Sequence, residues 1–540
     1  MKVVIVGAVA GGMSAATRLR RVAPQHEIIV FERGSEVSYA NCGLPYHVGG
    51  VIPKRADLIL QTPKRLRTRF DLDVRIRSEV VAINRDARTV RVRALDTGTE
   101  YDETYDRLIL SPGAAPFVPN LPGIERALTL RTVPDADRMA EALRETSPRT
   151  ATVVGGGFIG VETAENLRHQ GLDVTIVELD QQVLAPLDPE LAALVHTELR
   201  HNGVRLVLGT ALAKVLPDAV EVADGRTVPA DLVVLAIGVR PETQLARDAG
   251  LTIGSRGGIV VDDQMRTCDP AVYAVGDAVE KTDRINGGPG LIPLANTANR
   301  QGRLVADAIA GRPVSLGGRL GTAIVRVFDL TVAVTGWNEK RLRAAGRAGQ
   351  SIHTHPANHA GYYPGAESMS LKMLFDPATG AILGAQGVGG EGVDKRIDVL
   401  ATAIRGGLLA EDLADLELAY APPYGSAKDP VNMLGYIAEN LRTGMTSSVQ
   451  WHELDAVLAD GASLIDVRTP LEYASGHIPG SVNMPLDELR PNLGRLPAGD
   501  LVVYCQVGQR AHTATTLIAG TGRTCTNLDG GYRTWSAMAG

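Results

Sequence analysis

Cysteine is scarce in this chain, with four residues in 540. So few thiols in so long a sequence do not build a disulfide framework. They read as thiols of a reducing compartment, where an isolated one is either catalytic or buried. Long apolar runs are missing too, and no stretch is long enough to cross a bilayer as a helix. The N-terminus, MKVVIVGAVAGG, enters a strand and a glycine turn with no basic leader before it. A cytoplasmic protein without a signal peptide is therefore expected. A strong charge bias is also absent. The net charge of −6 gives no support for nucleic-acid binding. Hydrophobic and charged fractions of 44% and 21% are those of an ordinary globular chain, and the length suits several domains.

What the sequence does contain is glycine in patterned places. KVVIVGAVAGGMSAATRLRR…EIIVFE reads as strand, glycine turn, helix, strand and terminal acid. TATVVGGGFIGVETAENLRHQ…DVTIVE repeats that order about 150 residues later. Two βαβ units of this kind predict two dinucleotide sites. In the first, Gly7, Gly11 and Gly12 form a GxxxGG turn, with Ala10 inside it. Such a turn lets a pyrophosphate approach a helix N-terminus, where amides and dipole favour negative charge. Glu32, followed by Arg33, ends the next strand, where a carboxylate binds ribose hydroxyls. In the second unit Gly155, Gly157 and Gly160, around Ile159, match GxGxxG between a strand and a helix, and Glu178 ends the second strand. A carboxylate there suits NADH and repels the extra phosphate of NADPH, without excluding it. Short apolar segments follow, DLVVLAIG and AVYAVGDA. Both are expected to return to the first sheet.

Beyond about Leu320 the pattern changes. TAIVRVFDLTVAVTG and MSLKMLFDPATGAILGAQGVG read as antiparallel strands, and GVDKRIDVLATAIRGG as a helix ending at glycine. RTGMTSSVQ is expected to be a linker, and the last 90 or so residues a small α/β domain. His353, His355 and His359 lie close together in HTHPANH, but no second ligand cluster accompanies them, so no metal is expected.

A further absence concerns Cys42 itself. It stands in SYANCGLPY with no second cysteine nearby, and the position five residues on is His47. A lone redox thiol has to cycle with something external, as a mixed disulfide, persulfide or sulfenic acid. Its thiolate would need a lowered pKa. Basic clusters lie near: Arg18, Arg20 and Arg21 in TRLRR, and Lys64, Arg65, Arg67 and Arg69 in PKRLRTR. Arginine forks suit phosphate oxygens, although the second cluster reads more simply as a solvated helix face.

Several segments carry a resemblance to known proteins. VYAVGDAVE, with Gly276 and Asp277, LILSPGAAP, with Ser111 and Gly113, and AIGVRPET, with Gly238, resemble flavoprotein reductases with two dinucleotide-binding domains. SYANCGLPY, PLANTANRQGR (Pro293, Leu294, Ala295), HAGYYPGA and LAYAPPYGSAKDPVNMLGY resemble coenzyme A disulfide reductases across residues 1–445. DVRTPLEYASGHIPGSVNMP and the loop CQVGQR resemble a rhodanese domain. The whole is similar to a coenzyme A disulfide reductase–rhodanese fusion.

The resemblance implies an α/β chain of four parts: an FAD-binding domain (1–110 and 255–320), an NADH-binding domain (111–254), an α+β dimerisation domain (321–442) and a rhodanese domain (450–540). It implies FAD on the first glycine unit, NADH on the second, coenzyme A as substrate, and a homodimer. Cys42 would be the redox cysteine. Ser14, Arg18, Arg21, Ser38, Asn41 and Lys428 match coenzyme A contacts, while Phe70 stands where some members carry a contacting lysine. Tyr362 and Tyr420 of the other subunit would bracket the substrate sulfur. Cys505, with Arg510 closing its six-residue loop, would carry sulfane sulfur in a nest of backbone amides. Cys525, in a strand-like run, reads as buried, and Cys268 as structural. The substrate stays open among CoA disulfide, CoA persulfide and polysulfide. Two other activities fit the chemistry. One is an NADH oxidase or peroxidase using a Cys42 sulfenic acid, against which Ala10 counts because peroxidases carry histidine there. The other is a persulfide carrier or redox sensor.

Overall fold

The computed structural model describes residues 1–539, so the last residue of the expected 450–540 domain lies outside it. The chain divides into two compact units: 1–183 with 203–321, and 184–202 with the chain from 322 onward.

The first unit holds two parallel five-stranded sheets. In one, Lys2–Val6 lies between Glu27–Phe31 and Arg107–Leu110, with Asp73–Arg75 and Val272–Ala274 at the edges. Its central strands read as unbroken apolar runs because both faces are covered. Helices Ala10–Val22 and Ala295–Ile309 pack together over one face, burying Ala15, Leu19, Leu304 and Val305. A three-stranded antiparallel sheet covers the other face with Val80, Val90 and Val92.

The second sheet runs Arg205–Leu208, Asp173–Glu178, Thr150–Val154, Leu232–Leu235, Leu128–Thr129. DLVVLAIG therefore does not return to the first sheet. Its strand Leu232–Leu235 is buried throughout and pairs with Ala151–Val154 of the second sheet. Only Val272–Ala274, from AVYAVGDA, closes the first. The difference lies in partner choice, which an apolar run of four residues does not encode.

The second unit begins with a five-stranded antiparallel sheet in the order Ala323–Val327, Leu330–Gly336, Ile382–Gly389, Met369–Phe375, Gln350–Thr354. Helix Val393–Gly406 packs on it and stops at Gly407, whose φ of +79° suits a residue without Cβ. Helix Pro189–His201, although it sits in sequence between strands of the second nucleotide sheet, belongs to this unit. The C-terminal part is a parallel five-stranded sheet, ordered Ser448–Val449, Cys525–Leu528, Leu501–Tyr504, Ser463–Asp466, Val482–Asn483. The expected linker is thus shorter than RTGMTSSVQ, because Ser448 and Val449 already pair with Asn527 and Leu528. No described helix is long and apolar enough to cross a membrane.

Candidate active site

The two glycine turns use the same construction twice. Gly7 adopts φ +98°, and a Cβ there would lie 2.1 Å from the Ser111 carbonyl oxygen. A Cβ on Gly12 would lie 1.9 Å from the Gly7 oxygen. In the second unit Gly155 has φ +108°, and a Cβ on Gly160 would lie 1.9 Å from the Gly155 oxygen. Each strand-end acid folds back onto its turn. The Glu32 carboxylate accepts from the Ala8 and Gly34 amides, both at 2.8 Å. Glu178 accepts from Gly156 N at 2.5 Å and Asp180 N at 2.9 Å. Ile159 is exposed beside the second turn, and Gly238 turns the chain nearby at φ +103°.

Around the first turn, two helix N-termini and a third glycine converge. One helix starts at Ala10, and the other at Ala295 after Pro293 and Leu294. Gly11 faces the Ser111 hydroxyl, where a Cβ would lie 2.8 Å away, and Gly113 turns at φ +80°. Gly276 donates to Gln301 Oε1 at 3.0 Å. Asp277 presents a buried Oδ1 with no partner in the chain, and Gln301 Nε2 is equally unpaired. Unsatisfied buried polar atoms aimed at a cradle too tight for Cβ atoms fit a polyhydroxylated ligand such as FAD. Burial raises the Asp277 carboxyl pKa, against the pull of Lys281 and Arg131. Lys281 is itself buried, donating to the Gly276 and Val279 carbonyls at 2.8 and 3.1 Å, and burial lowers its pKa to about 8. Arg33 pairs with Glu242 at 2.6 Å.

Cys42 sits exposed in the turn Asn41–Gly43, at the start of helix Leu44–Val48. Its thiol is not lowered as expected. Burial of the sulfur, then the negative charges of Glu162 and Asp277, raise it. The basic residues nearby in sequence are engaged with other groups. Arg18 is ion-paired to Asp307 at 2.8 Å, and Arg20 grips the carbonyls of Phe70, His26 and Asp71, each at 2.8 Å. Arg21 is exposed and bonds the Thr17 carbonyl. Lys64, Arg65, Arg67 and Arg69 project from helix Pro63–Phe70 into solvent, while Phe70 packs against the core. Ser14 bonds Asn299 at 2.6 Å, Ser38 takes φ +48°, and Asn41 reaches the Tyr39 carbonyl and Arg131. His47 bonds the Ile52 carbonyl at 2.7 Å. Cys268, read from the sequence as structural, is exposed, and Thr252 and Arg85 lower its thiol despite partial desolvation.

In the second unit, the loops carrying Tyr362 and Tyr420 are tied by Ala360 N donating to Gly425 O at 2.9 Å. The two phenol oxygens lie 3.0 Å apart and both side chains are exposed. Lys428 is exposed next to Asp429, which caps helix Pro430–Arg442 and holds buried Arg396 at 2.8 Å.

Cys505 follows strand Leu501–Tyr504, and helix Gln509–Ala519 starts four residues later, with Gly508 at φ +90°. Arg510 forms a bidentate pair with Glu472 at 2.8 and 2.6 Å. Glu472 went unnoticed in the sequence, although it lies in the quoted segment. It holds the Arg510 fork in place, and Arg510 in turn depresses its pKa to about 2. Beneath the loop, buried Arg468 bonds Asp466 and Gln506 and lies over the Tyr532 ring at 4.2 Å. Tyr532 N donates to the Cys505 carbonyl, and Arg533 N to that of Gln506. Burial pushes the Cys525 thiol up to about 12.

The histidine cluster has a different role from any the sequence suggested. Strand Gln350–Thr354 places His353 between Glu190, at 3.0 Å, and Asp529, at 2.6 Å. Lys372, 1% exposed, contacts Asp188, Glu190 and Glu339 at 3.0, 2.5 and 2.9 Å. Burial opposes the charge on His353, but Asp529 and Glu190 outweigh it and raise the pKa to about 9. His355 bonds Ser370 and Thr534, and His359 faces the Ala360 carbonyl. This buried network fastens the C-terminal sheet to the antiparallel sheet.

Comparison with known proteins decides the family. Residues 1–302 match the pyridine nucleotide-disulphide oxidoreductases, residues 322–430 their dimerisation domain, and residues 450–538 the rhodanese-like domain. The chain belongs to the pyridine nucleotide-disulphide oxidoreductase family. Coenzyme A disulfide reductase of Staphylococcus haemolyticus is 35% identical over 443 residues, 82% of this chain and all of that protein. The crystal structure of reduced Bacillus anthracis CoADR-RHD is 48% identical, with a TM-score of 0.98 over 99% of this chain and 98% of that one. An NAD-dependent persulfide reductase from A. fulgidus is 36% identical, with a TM-score of 0.93 over 99% of this chain and all of that one. The mixed α/β architecture, with nucleotide-binding sheets, dimerisation domain and rhodanese domain, is that of this group.

Proposed function

We propose that this protein is an NADH-dependent FAD enzyme that reduces disulfide or persulfide sulfur attached to coenzyme A, through Cys42 as its one redox thiol. The observation that carries this is an exposed Cys42 beside the first nucleotide cradle, with all four cysteines of the chain free. His47, where a second thiol would stand, is turned to the Ile52 carbonyl. The names of the S. haemolyticus and A. fulgidus relatives supply the substrate class. Gly7, Ala10, Gly11, Glu32, Arg33, Ser111, Gly113, Gly276, Asp277 and the helix start at Pro293–Ala295 would hold FAD. Gly155, Gly157, Ile159, Gly160, Glu178 and Gly238 would hold NADH. Bound FAD supplies two-electron transfer between nicotinamide and sulfur.

The chain's own residues then do the following. The Cys42 thiolate attacks CoA disulfide, forming a mixed disulfide and releasing one CoA thiolate. Two electrons originating in NADH cleave that bond to the Cys42 thiolate and the second CoA thiolate, which takes a proton. Ser14, Arg18, Arg21, Ser38, Asn41 and Lys428 orient coenzyme A, with Arg18 exchanging Asp307 for phosphate. The 3.0 Å phenol pair Tyr362–Tyr420, from the second subunit of a homodimer, donates hydrogen bonds to the leaving thiolate. A persulfide on Cys505 passes its outer sulfur to CoA thiolate, giving CoA persulfide and a Cys505 thiolate beside Arg510. Glu178 sets the preference for NADH over NADPH. The reaction would belong in the cytoplasm, where NADH and reduced CoA are available.

The test is anaerobic NADH consumption with CoA disulfide, CoA persulfide and hydrogen peroxide. Turnover with the first two, lost in Cys42→Ser, supports the reading. Rapid peroxide turnover with none on CoA substrates refutes it.

A further inference from the structure

Strand Cys525–Leu528 runs on into residues 529–534, DGGYRT, which lie between two parts of the second unit. One side of this strap carries the Cys505 loop. The Tyr532 and Arg533 amides donate to the Cys505 and Gln506 carbonyls at 2.8 and 3.0 Å. Gly531 comes so close that a Cβ would lie 2.4 Å from the Cys505 oxygen, and its φ of +61° suits glycine as well. The other side of the strap grips the antiparallel sheet. Asp529 accepts from the His353 amide at 3.0 Å. Thr534 Oγ1 bonds His355 Nε2 at 2.8 Å, and Arg533 Nη1 donates to Ser368 Oγ at 2.5 Å. Burial, then the charge of Arg533, lowers the His355 pKa well below its ordinary value, so a neutral ring makes the Thr534 contact. Among the described residues no carboxylate pairs with Arg533, and Ser368 is the side-chain partner of its guanidinium.

His355 and Ser368 are the two legs of one hairpin. Between strands Gln350–Thr354 and Met369–Phe375 the chain makes an excursion with Tyr362 in its tip. Its stem is closed by the bridge between Ala357 and Ser368, and by the Met369 and Asn358 amides donating to the Pro356 and Glu367 carbonyls at 2.9 and 2.8 Å. Consecutive strap residues, Arg533 and Thr534, thus clasp both legs at the stem. Arg533 reaches both sulfur sites, its amide holding the Cys505 loop and its side chain the hairpin. A guanidinium–hydroxyl bond is charge-assisted and directional, and fixing a stem removes conformational freedom from the tip it carries. We propose that Arg533 is a positioning residue for Tyr362, so that the C-terminal domain steadies the tyrosine hairpin during CoA disulfide reduction, a reaction in which no sulfane sulfur moves. The domain that carries Cys505 then serves the reductase even when it transfers nothing.

The proposal rests on Tyr362 acting on the leaving thiolate, but its first test does not need turnover. Amide hydrogen exchange of the FAD-loaded full chain is followed by mass spectrometry. In Arg533→Met the hairpin peptide, with the bonded amides of Asn358, Ala360 and Tyr363, should exchange about tenfold faster than in the wild type. The peptide of strand Ile382–Gly389 should keep its rate, and Arg533→Lys, which can still donate to Ser368, should restore the hairpin. Hairpin exchange superimposed on the wild type, or a rise shared equally by that strand, overturns the proposal. If Arg533→Met fails to fold, Ser368→Ala cuts the same bond from the hairpin side and is read in the same way. Turnover gives the second test. Arg533→Met should lower kcat for CoA disulfide about tenfold, and should cost nothing further in a Tyr362→Phe background, because the two residues act as one. An equal loss in both backgrounds overturns the proposal. Wild-type turnover in Tyr362→Phe alone would instead strike the role given to that tyrosine, and the exchange result would still decide whether Arg533 holds the hairpin.

Discussion

Raising the pH through the titration of His353 should unfasten the second unit. His353 is charged between Glu190 and Asp529, at 3.0 and 2.6 Å, and its side chain is 1% exposed. Its folded pKa, about 9, stands above the ordinary value of 6.5. A group raised in this way contributes its full stabilisation below the unfolded value and loses it as pH rises through the folded one. The difference corresponds to about 3 kcal/mol, lost between about pH 6.5 and 9. All three tryptophans, Trp337, Trp451 and Trp535, lie in this unit, and the Trp451 indole donates to Glu190. Intrinsic fluorescence in urea therefore reads its unfolding. The wild type should lose about 3 kcal/mol more than His353→Gln between about pH 6 and 10. Parallel pH dependence in the two proteins would refute the assignment of charge to His353. On the acid side the sign reverses. Glu190 and Glu339, buried but overridden by Lys372, have lowered pKa values, so their contribution is present above the ordinary carboxylate range and lost below it.

Three further outcomes follow from the sites. Cys505→Ser should abolish sulfur transfer from thiosulfate to cyanide, and Glu472→Gln should lower it about tenfold by freeing the Arg510 fork, with CoA disulfide reduction unchanged in both. Glu178→Ala should narrow the ratio of kcat/KM for NADH over NADPH about tenfold, by removing a like-charge repulsion of about 1–4 kcal/mol. Gly12→Ala should leave purified protein without flavin absorbance, because its Cβ would meet the Gly7 oxygen at 1.9 Å.

The features readable from sequence were those held within one short segment. Both glycine turns, each with its returning acid, span about 25 residues, and the strand–turn–helix order carries them. The helix ending at Gly407 and the hairpin at Asp376–Gly380 are local as well. What stayed hidden depends on partners far apart in the chain. Lys372 meets Asp188, Glu190 and Glu339 only after folding, and His353, which reads as part of a histidine-rich loop, is a strand residue facing Asp529. Arg18 is bound by Asp307, nearly 300 residues away. The raised Cys42 thiol was missed for the same reason: TRLRR is near it in sequence, whereas the charges that act on it are Glu162 and Asp277. Glu472 was the avoidable omission, since an acid one helical turn into that segment is a natural partner for Arg510.

The most direct test of the central claim is where coenzyme A attaches. The oxidised protein is incubated with CoA disulfide without NADH, digested without reductant, and its four cysteine peptides are weighed. The account predicts a coenzyme A adduct on the Cys42 peptide that NADH removes in the FAD-loaded enzyme. An adduct confined to Cys268, Cys505 or Cys525, or one on Cys42 that NADH leaves in place, would contradict it.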